Sequence, residues 1–224
     1  GTYNMLANTL SRFGITTTFV DPDDPESFAK AVKSNTRAFY AESLGNPKLD
    51  VLDLKAISEI AKKAKVPFIV DNTVASPALL NPIEHGANIV IHSLTKYLTG
   101  NGTSIGGVII DAGTFDWGNG NFPEFTEPSP SYHGLNYHEA LGNIAFIAKA
   151  RVEGLRDFGS APSPFNSFQT IQGIETLDIR MQKHSENALK LAAWLSTRAE
   201  VAWVNYPGLK TSKYNSLAKQ YLSK

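Results

Sequence analysis

An α/β fold, with a mostly parallel sheet flanked by helices, is predicted from three observations. Short apolar runs alternate with helical patterns along the first half of the chain, the signature of a sheet covered by helices. Two of those runs, Phe68-Ile69-Val70 and Ile89-Val90-Ile91, are apolar without alternation, as strands buried on both faces are. The helical segments between runs begin and end on residues that cap helices well, and each ends near the next run.

In chain order, the first strand candidate is Ile15 to Val20. A helix from Pro25 to Val32 follows, with Phe28, Ala31 and Val32 on one side. Ala38 to Ser43 is the next strand, and Leu54 to Ala64 the next helix. Asp53 is its expected N-cap, and Leu54, Ile57, Ile60 and Ala61 share one face. Pro67 to Asn72 and Ile89 to Ser93 are the buried strands. Gly106 to Asp111 is a further strand, in which Gly107 points to a bulge or a close backbone approach. From Phe115 to Tyr132 the chain is rich in Gly, Pro and aromatics, too proline-broken for a helix or central strand, and reads as a long packed loop. Two helical stretches come next. Leu135 to Phe158 turns Leu141, Ile144, Ala148, Val152 and Leu155 inward, and roughly Ser167 to Thr197 is long enough to predict a kink or a link between domains. Val201-Ala202-Trp203-Val204 is then expected to open a second domain. The expected division is a large domain over residues 1–165, and a linking helix with the beginning of a C-terminal domain over 166–224. No internal repeat or low-complexity tract is found.

Composition narrows the function. The 224 residues hold enough apolar material, 42%, for a substantial core, and 19% charged residues is ordinary for a globular protein. Lys plus Arg equal Asp plus Glu at 21 each, so no global field draws the protein to nucleic acid or an anionic membrane, and a small-molecule partner is the expectation. The absence of Cys removes disulfides, thiolate catalysis and Cys-based metal sites, and fits a reducing, cytoplasmic compartment. No apolar run approaches the ~20 residues of a membrane span, and no secretory pattern opens the chain. Gly1-Thr2-Tyr3-Asn4-Met5-Leu6 carries no clear cap or lead-in, which predicts a start inside a larger protein.

The residues that carry chemistry lie near strand ends. Binding of pyridoxal 5′-phosphate (PLP) requires an amine for the Schiff base, an anion beside the pyridine nitrogen and donors for the phosphate. In Ile89-Val90-Ile91-His92-Ser93-Leu94-Thr95-Lys96-Tyr97 a buried strand runs into a turn with two hydroxyls and a lysine, where ligands of open α/β sheets sit. Lys96 has the reach for the Schiff base, and Ser93 and Thr95 are candidate phosphate donors. Phe68-Ile69-Val70-Asp71 brings a carboxylate to the same edge, suited to keeping a pyridine nitrogen protonated. Residue types alone leave a second reading open: a lysine after a strand is commonly solvated, and an aspartate ending a strand commonly caps the next turn.

Asp71-Asn72-Thr73 and His92-Ser93-Leu94-Thr95-Lys96-Tyr97, preceded by Glu42-Ser43-Leu44-Gly45-Asn46-Pro47, resemble the Cys/Met-metabolism family of PLP enzymes, in order and in spacing, over essentially the whole chain. The resemblance implies an aspartate-aminotransferase-like (fold type I) large domain that binds PLP. It implies Lys96 as the Schiff-base lysine and general base, Asp71 at the pyridine nitrogen, Ser93 and Thr95 at the phosphate, Asn46 near the phenolic oxygen and Thr73 near the ring. Thr103-Ser104-Ile105-Gly106-Gly107, Phe115-Asp116-Trp117, Phe122-Pro123-Glu124-Phe125, Tyr132-His133-Gly134-Leu135, Gly173-Ile174-Glu175-Thr176-Leu177 and Trp203-Val204-Asn205-Tyr206-Pro207-Gly208-Leu209 resemble its O-acetylhomoserine sulfhydrylase branch. That branch implies an acetylated amino-acid substrate, sulfide or a thiol as second substrate, a role in methionine biosynthesis and a homotetramer built as a dimer of dimers. One departure is Gly100-Asn101-Gly102, where the family usually has His or Gln after the first Gly; Asn still donates and accepts. The resemblance further implies that an aromatic residue stacking on the ring and a phosphate loop lie upstream of Gly1, and a substrate-binding arginine beyond Lys224. The segment that lends phosphate contacts to a neighbouring subunit is likewise expected outside these residues. The 224 residues alone are thus expected to bind PLP weakly and to turn over nothing.

Other patterns carry less. Gly102-Thr103-Ser104-Ile105-Gly106 matches the G-x-S-x-G elbow of hydrolases, but an elbow follows a strand and opens a helix, whereas here a loop precedes and a strand is expected after. Gly100-Asn101-Gly102 lacks the helix and glycine spacing of a dinucleotide loop. The five histidines show no metal-ligand spacing, so no metal is expected. Lys62-Lys63-Ala64-Lys65 reads as a solvated helix end favoured by the helix dipole. The rival functions are γ-elimination of the methionine γ-lyase type, γ-replacement of the cystathionine γ-synthase type, and, from another class, a non-catalytic α/β scaffold.

Overall fold

Among the described residues, 1–223 of a computed structural model, four strands form one sheet. They are β1 (Phe39–Glu42), β2 (Phe68–Asp71), β3 (Ile89–Ser93) and β4 (Gly107–Asp111), in spatial order β1-β2-β3-β4. β1, β2 and β3 are parallel neighbours, and β4 runs antiparallel to β3. Lys224, the last residue of the expected second division, lies outside the described residues.

The strand residues explain both layers. Phe39, Phe68, Val70 and Val90 belong to one core cluster, while Ile89 and the partly buried Ile69 and Ile91 belong to another, so alternate residues of the same strands serve opposite faces. A sheet covered on both faces needs no polar face, which is why β2 and β3 are apolar without alternation. On the first face pack α1 (Pro25–Ala31) and α2 (Leu54–Ala64). The α1 N-cap Asp24 accepts the Glu26 N–H, and the α2 N-cap Asp53 accepts the Ala56 N–H at 3.2 Å. α2 ends with Lys65 in the left-handed conformation, after Lys62 and Lys63 in its last turn. Leu54 and Ile57 are fully buried against the sheet, each stabilising the fold by about 2 kcal/mol relative to exposure.

The opposite face is covered by the proline-broken loop. Trp117, Phe122 and Phe125 pack on Ile89, with Trp117 stacked on Phe125 and Phe146 at centroid separations of 4.3 and 5.1 Å. Glu153 fastens this layer, accepting the hydroxyls of Ser129, Ser131 and Tyr137 and pairing with Lys149 at 2.7 Å.

Several elements differ from expectation. Ile15 to Val20 forms no strand; Ile15 and Phe19 are half exposed, and the segment pairs with no ladder. β4 returns antiparallel because residues 94–106 include no crossover helix to carry the chain back along the sheet. Gly107 makes no bulge: it pairs in register with Ser93, and a Cβ there would meet the His92 carbonyl at an ordinary 3.6 Å. The stretch from Leu135 to Phe158 is broken once, at Gly142 (φ 53°, ψ −120°), into α3 (Tyr137–Leu141) and α4 (Ala145–Lys149), which continues through a π-helical segment (Ala150–Leu155) to Phe158. The break resets the helical phase, so Ile144, expected inside, is 51% exposed while Ala145 is buried. The long C-terminal stretch is α5 (Pro164–Glu175) and α6 (Leu177–Leu195), kinked at Thr176. α5 starts earlier than expected because Ser163 caps it and Pro164 suits its first turn. Val201 to Val204 are irregular, with Trp203 exposed, and the chain then turns back through α7 (Asn215–Tyr221). Leu177, Met181, Tyr214 and Tyr221 join the same core cluster as Phe68 and Val70.

Candidate active site

The carboxyl ends of β1, β2 and β3 converge: the register sets Glu42 beside Asp71 and Asp71 beside Ile91. This is the edge where open α/β sheets bind ligands, because the loops leaving it diverge over the strand ends.

Asp71 is held on both oxygens. Its Oδ1 accepts the Thr73 N–H at 3.0 Å and the Thr73 hydroxyl at 2.5 Å, and its Oδ2 accepts the Tyr40 hydroxyl at 3.1 Å. Tyr40 pairs with Ile69, so its ring crosses diagonally to the residue two further along β2. Burial, and then the negative charge of Asp71, hold the Tyr40 hydroxyl well above the ordinary tyrosine range, so it stays protonated and donates. The Thr73 Oγ1 also accepts the Ser93 N–H at 2.8 Å, joining the end of β2 to the end of β3. Beneath them Asn72 is fully buried and satisfied. Its N–H donates to the Ile91 carbonyl, its Oδ1 accepts the Ser43 hydroxyl at 2.7 Å and its Nδ2 donates to the Leu80 carbonyl at 2.8 Å. His92 is buried nearby. Burial pushes its imidazole below the ordinary histidine range, against the opposing charge of Asp71, and its Nδ1 has no partner.

Beyond β3 the chain forms an irregular turn, Leu94–Leu98, whose helical path is interrupted at Lys96 (φ −93°, ψ −129°). The turn is anchored at both ends. The Leu94 N–H donates to the Gly106 carbonyl at 2.9 Å, the Gly106 N–H to Thr95 Oγ1 at 3.3 Å, and the Gly100 N–H to the Lys96 carbonyl at 2.9 Å. Lys96 itself is exposed and, among the described residues, forms no ion pair; nor does Asp71. Asn46 is exposed on a cleft of about 1220 Å³ that Tyr3, Tyr40 and Glu42 also line, and its N–H donates to Glu42 Oε2 at 2.8 Å. A second cavity, about 510 Å³ and mostly apolar, is lined by His92, Leu94, Thr170 and Ile171. Asp71 and Lys96 line neither cavity.

Of the residues singled out in the sequence, Asp71, Thr73, Ser93, Thr95 and Lys96 therefore lie on one sheet edge, whereas the Asn46 amide makes no hydrogen bond to any of them among the described residues. Thr73 is engaged on both sides as a latch. Tyr40 and Asn72 escaped notice in the sequence because their contacts follow from strand register and burial, which no local pattern reveals. Ser104 of the G-x-S-x-G match is buried, donates to Gln169 Oε1 at 2.5 Å and is followed by β4, so the elbow geometry is absent. No group of three or more His, Asp or Glu that could hold a metal occurs among the described residues, and no helix there is long and apolar enough to cross a membrane.

The donor set fits PLP. Among the described residues, one edge offers an amine and a carboxylate free of ion pairs, together with the Ser93 and Thr95 hydroxyls, whose hydrogens are not engaged with protein acceptors there. They suit an aldehyde, a protonated ring nitrogen and a phosphate respectively.

Comparison with known proteins agrees with this chemistry. Residues 1–224 match the family described as Cys/Met metabolism PLP-dependent enzyme. The chain is 58% identical to an O-acetyl-L-homoserine sulfhydrylase of Leptospira meyeri over 99% of its own length and 52% of the relative's. It is 49% identical to a homocysteine synthase of Schizosaccharomyces pombe, again over 99% of the chain and 52% of the relative. The chain thus spans about half the length of these curated relatives. Among solved structures it superposes with TM-score 0.95 and 40% identity on a Campylobacter jejuni protein described as an O-acetylhomoserine (thiol)-lyase carrying pyridoxyl-lysine monophosphate, covering all of this chain and 56% of that one. An O-acetylhomoserine sulfhydrylase of Wolinella succinogenes superposes with TM-score 0.87 at 34% identity, over 99% of this chain and 60% of that one.

Proposed function

The chain belongs to the Cys/Met metabolism PLP-dependent enzymes, and from that premise we propose that the whole protein exchanges the acetoxy group of O-acetyl-L-homoserine for sulfide or methanethiol, giving homocysteine or methionine and acetate. The observation that carries the reading is the convergence of Asp71, Ser93, Thr95 and Lys96 on one edge of the parallel strands. The names borne by relatives of 58% and 49% identity support the choice of substrate.

In this reading Lys96 would hold the cofactor's aldehyde through its amine, and Ser93 and Thr95 would donate hydroxyl hydrogens to its phosphate. Asp71 would serve the pyridine nitrogen, its carboxylate oriented by Tyr40 and by the Thr73 latch and, among the described residues, in no ion pair with a protein cation. Asn46 would donate its amide to the phenolic oxygen, and Thr73 would serve the ring. When bound, PLP supplies an electron sink for the bond from the substrate Cα to its proton. Lys96, once released, would take that Cα proton as general base. A second proton lost from Cβ would let acetate leave Cγ with its electron pair; sulfide or the thiol would then add at Cγ, and protons returned to Cβ and Cα would leave acetate replaced by sulfur as the net change.

The reading includes a cytoplasmic dimer of dimers, supported by the family resemblance. Within it residues 1–165 are the PLP-binding domain, and 166–224 form a linking helix and the beginning of a C-terminal domain, the helix being seated on the first domain's core through Leu177 and Met181.

The test is made on the full-length protein. Homocysteine is expected only when sulfide accompanies O-acetylhomoserine; release of an α-keto acid without sulfide instead identifies γ-elimination. Lys96→Ala is expected to remove the visible absorbance of lysine-bound PLP and to abolish turnover. A Lys96→Ala protein that keeps the band overturns the assignment.

A further inference from the structure

Resting on that reading of Lys96, we propose that Arg180 is a positioning residue for it, clamping the lysine-bearing turn onto the junction of α5 and α6. Arg180 lies at the start of α6, far from Lys96 in sequence, yet its Nη2 donates to the Tyr97 carbonyl at 2.9 Å and to the Gly173 carbonyl at 2.7 Å. Its Nε donates to Thr176 Oγ1 at 3.1 Å, which fixes the guanidinium at the kink. One side chain therefore joins the carbonyl next to Lys96, the last turn of α5 and the break between the helices. The Gly173 carbonyl, which also accepts the Thr176 N–H at 3.3 Å, lies in the last turn of α5, and the arginine fork reaches it and the Tyr97 carbonyl together.

Two glycines make room for the clamp. A Cβ on Gly173 would lie 2.2 Å from the Thr99 carbonyl oxygen and 2.6 Å from that of Leu98, so the backbone of α5 rests directly on the lysine turn. A Cβ on Gly100 would lie 2.7 Å from Arg180 Nη1, and Gly100 also adopts φ +82°, so a side chain there is doubly opposed. The hydroxyls of Thr99 and Thr170 meet at 3.1 Å within the same contact. Lys96 is exposed and, among the described residues, makes no ion pair, so the place from which its long stem departs is set by its backbone. Arg180 and Gly173 hold that backbone from below.

The test uses the full-length protein, stripped of PLP and reloaded. In Arg180→Gln the visible band is expected to return about tenfold more slowly, as a small misplacement of a reacting group costs one to two orders of magnitude. Amide hydrogen exchange over residues 94–100 rises in parallel, with β1 and β2 unchanged. With substrates, kcat falls and KM for the acetylated amino acid stays within about twofold. Arg180→Lys retains a donor for the carbonyls but loses the bond to Thr176, and is expected to lie between the two. If Arg180→Gln yields no folded protein, Thr176→Val, which releases Nε and also removes the hydroxyl's bond to the Gly173 carbonyl, is expected to slow band return about threefold. A lowered melting temperature with unchanged band return and unchanged exchange over 94–100 overturns the role of Arg180. Lys96→Ala measured alongside keeps the two readings apart: a band that persists there overturns the assignment of Lys96, whereas a band lost there with normal kinetics in Arg180→Gln overturns the clamp alone.

Discussion

Tyr40 and Thr73 divide the work of orienting one carboxylate. Each Asp71 oxygen has its own hydroxyl donor, one arriving across the sheet from β1 and one from two residues further along the chain. An aspartate with no protein cation beside it is costly to leave half satisfied, because a lost donor exposes the full desolvation penalty of the charge. Tyr40→Phe keeps the ring's packing and removes only the Oδ2 donor, and is expected to lower stability by about 1–2 kcal/mol in chemical denaturation. Thr73→Val removes the hydroxyl that serves both Asp71 and the Ser93 N–H, and should cost more. Equal stability of Tyr40→Phe and the parent protein would show that the carboxylate is adequately solvated without it.

At the scale of elements, the clearest constraint is the contact of α5 with the lysine turn. Gly173→Ala puts a methyl group on the Thr99 carbonyl, a clash that only displacement of α5 relieves, and the expected loss is about 2–3 kcal/mol by denaturation. A loss of less than about 0.5 kcal/mol would mean that the helix shifts freely. The elements themselves were largely legible in the sequence. Two buried strands lacked alternation, and α2 carried a cap, an apolar stripe and a basic end, so β2, β3 and α2 lie where those signals put them. The failures share a physical cause. Ile15 to Val20 has strand-like residues but no neighbouring strand to pair with, and the stretch after Leu135 has a helical pattern that Gly142 interrupts. Pairing and phase are tertiary facts. The same limit applied to the site: Asp71, Ser93, Thr95 and Lys96 could be singled out locally, whereas Tyr40 and Arg180 reach the site from 31 residues before Asp71 and 83 residues after Tyr97.

Over the whole molecule, the last part of the chain is stitched to the first by side chains. The Tyr214 hydroxyl donates to Asp23 at 2.8 Å, Lys213 pairs with Asp23 at 2.6 Å, the Tyr221 hydroxyl donates to Asp53 at 2.7 Å and Asn205 donates to the Lys48 carbonyl. The hydrogen bond from Lys213, helped by that from Tyr214, holds the Asp23 carboxyl below the usual carboxylate value of 3.8 against the opposing effect of burial. A depressed carboxylate contributes stability that is present above the unfolded value and is lost as pH falls through the lower folded one. Asp23→Asn is therefore expected to melt below the parent protein at neutral pH, and the gap should close as the solution is acidified beyond about pH 3.8. A gap that does not change with pH would assign the difference to packing.

The clamp on the lysine turn also has a consequence in time. On the ribosome β1 to β4 emerge with Asp71 and Lys96 already in sequence, but Gln169, Thr170, Gly173 and Arg180 follow only after the aromatic layer has been made. On the proposed reading of Lys96 and Arg180, a nascent chain would carry that lysine on an unbraced loop, and productive capture of the coenzyme would wait for translation to pass α5 and the start of α6.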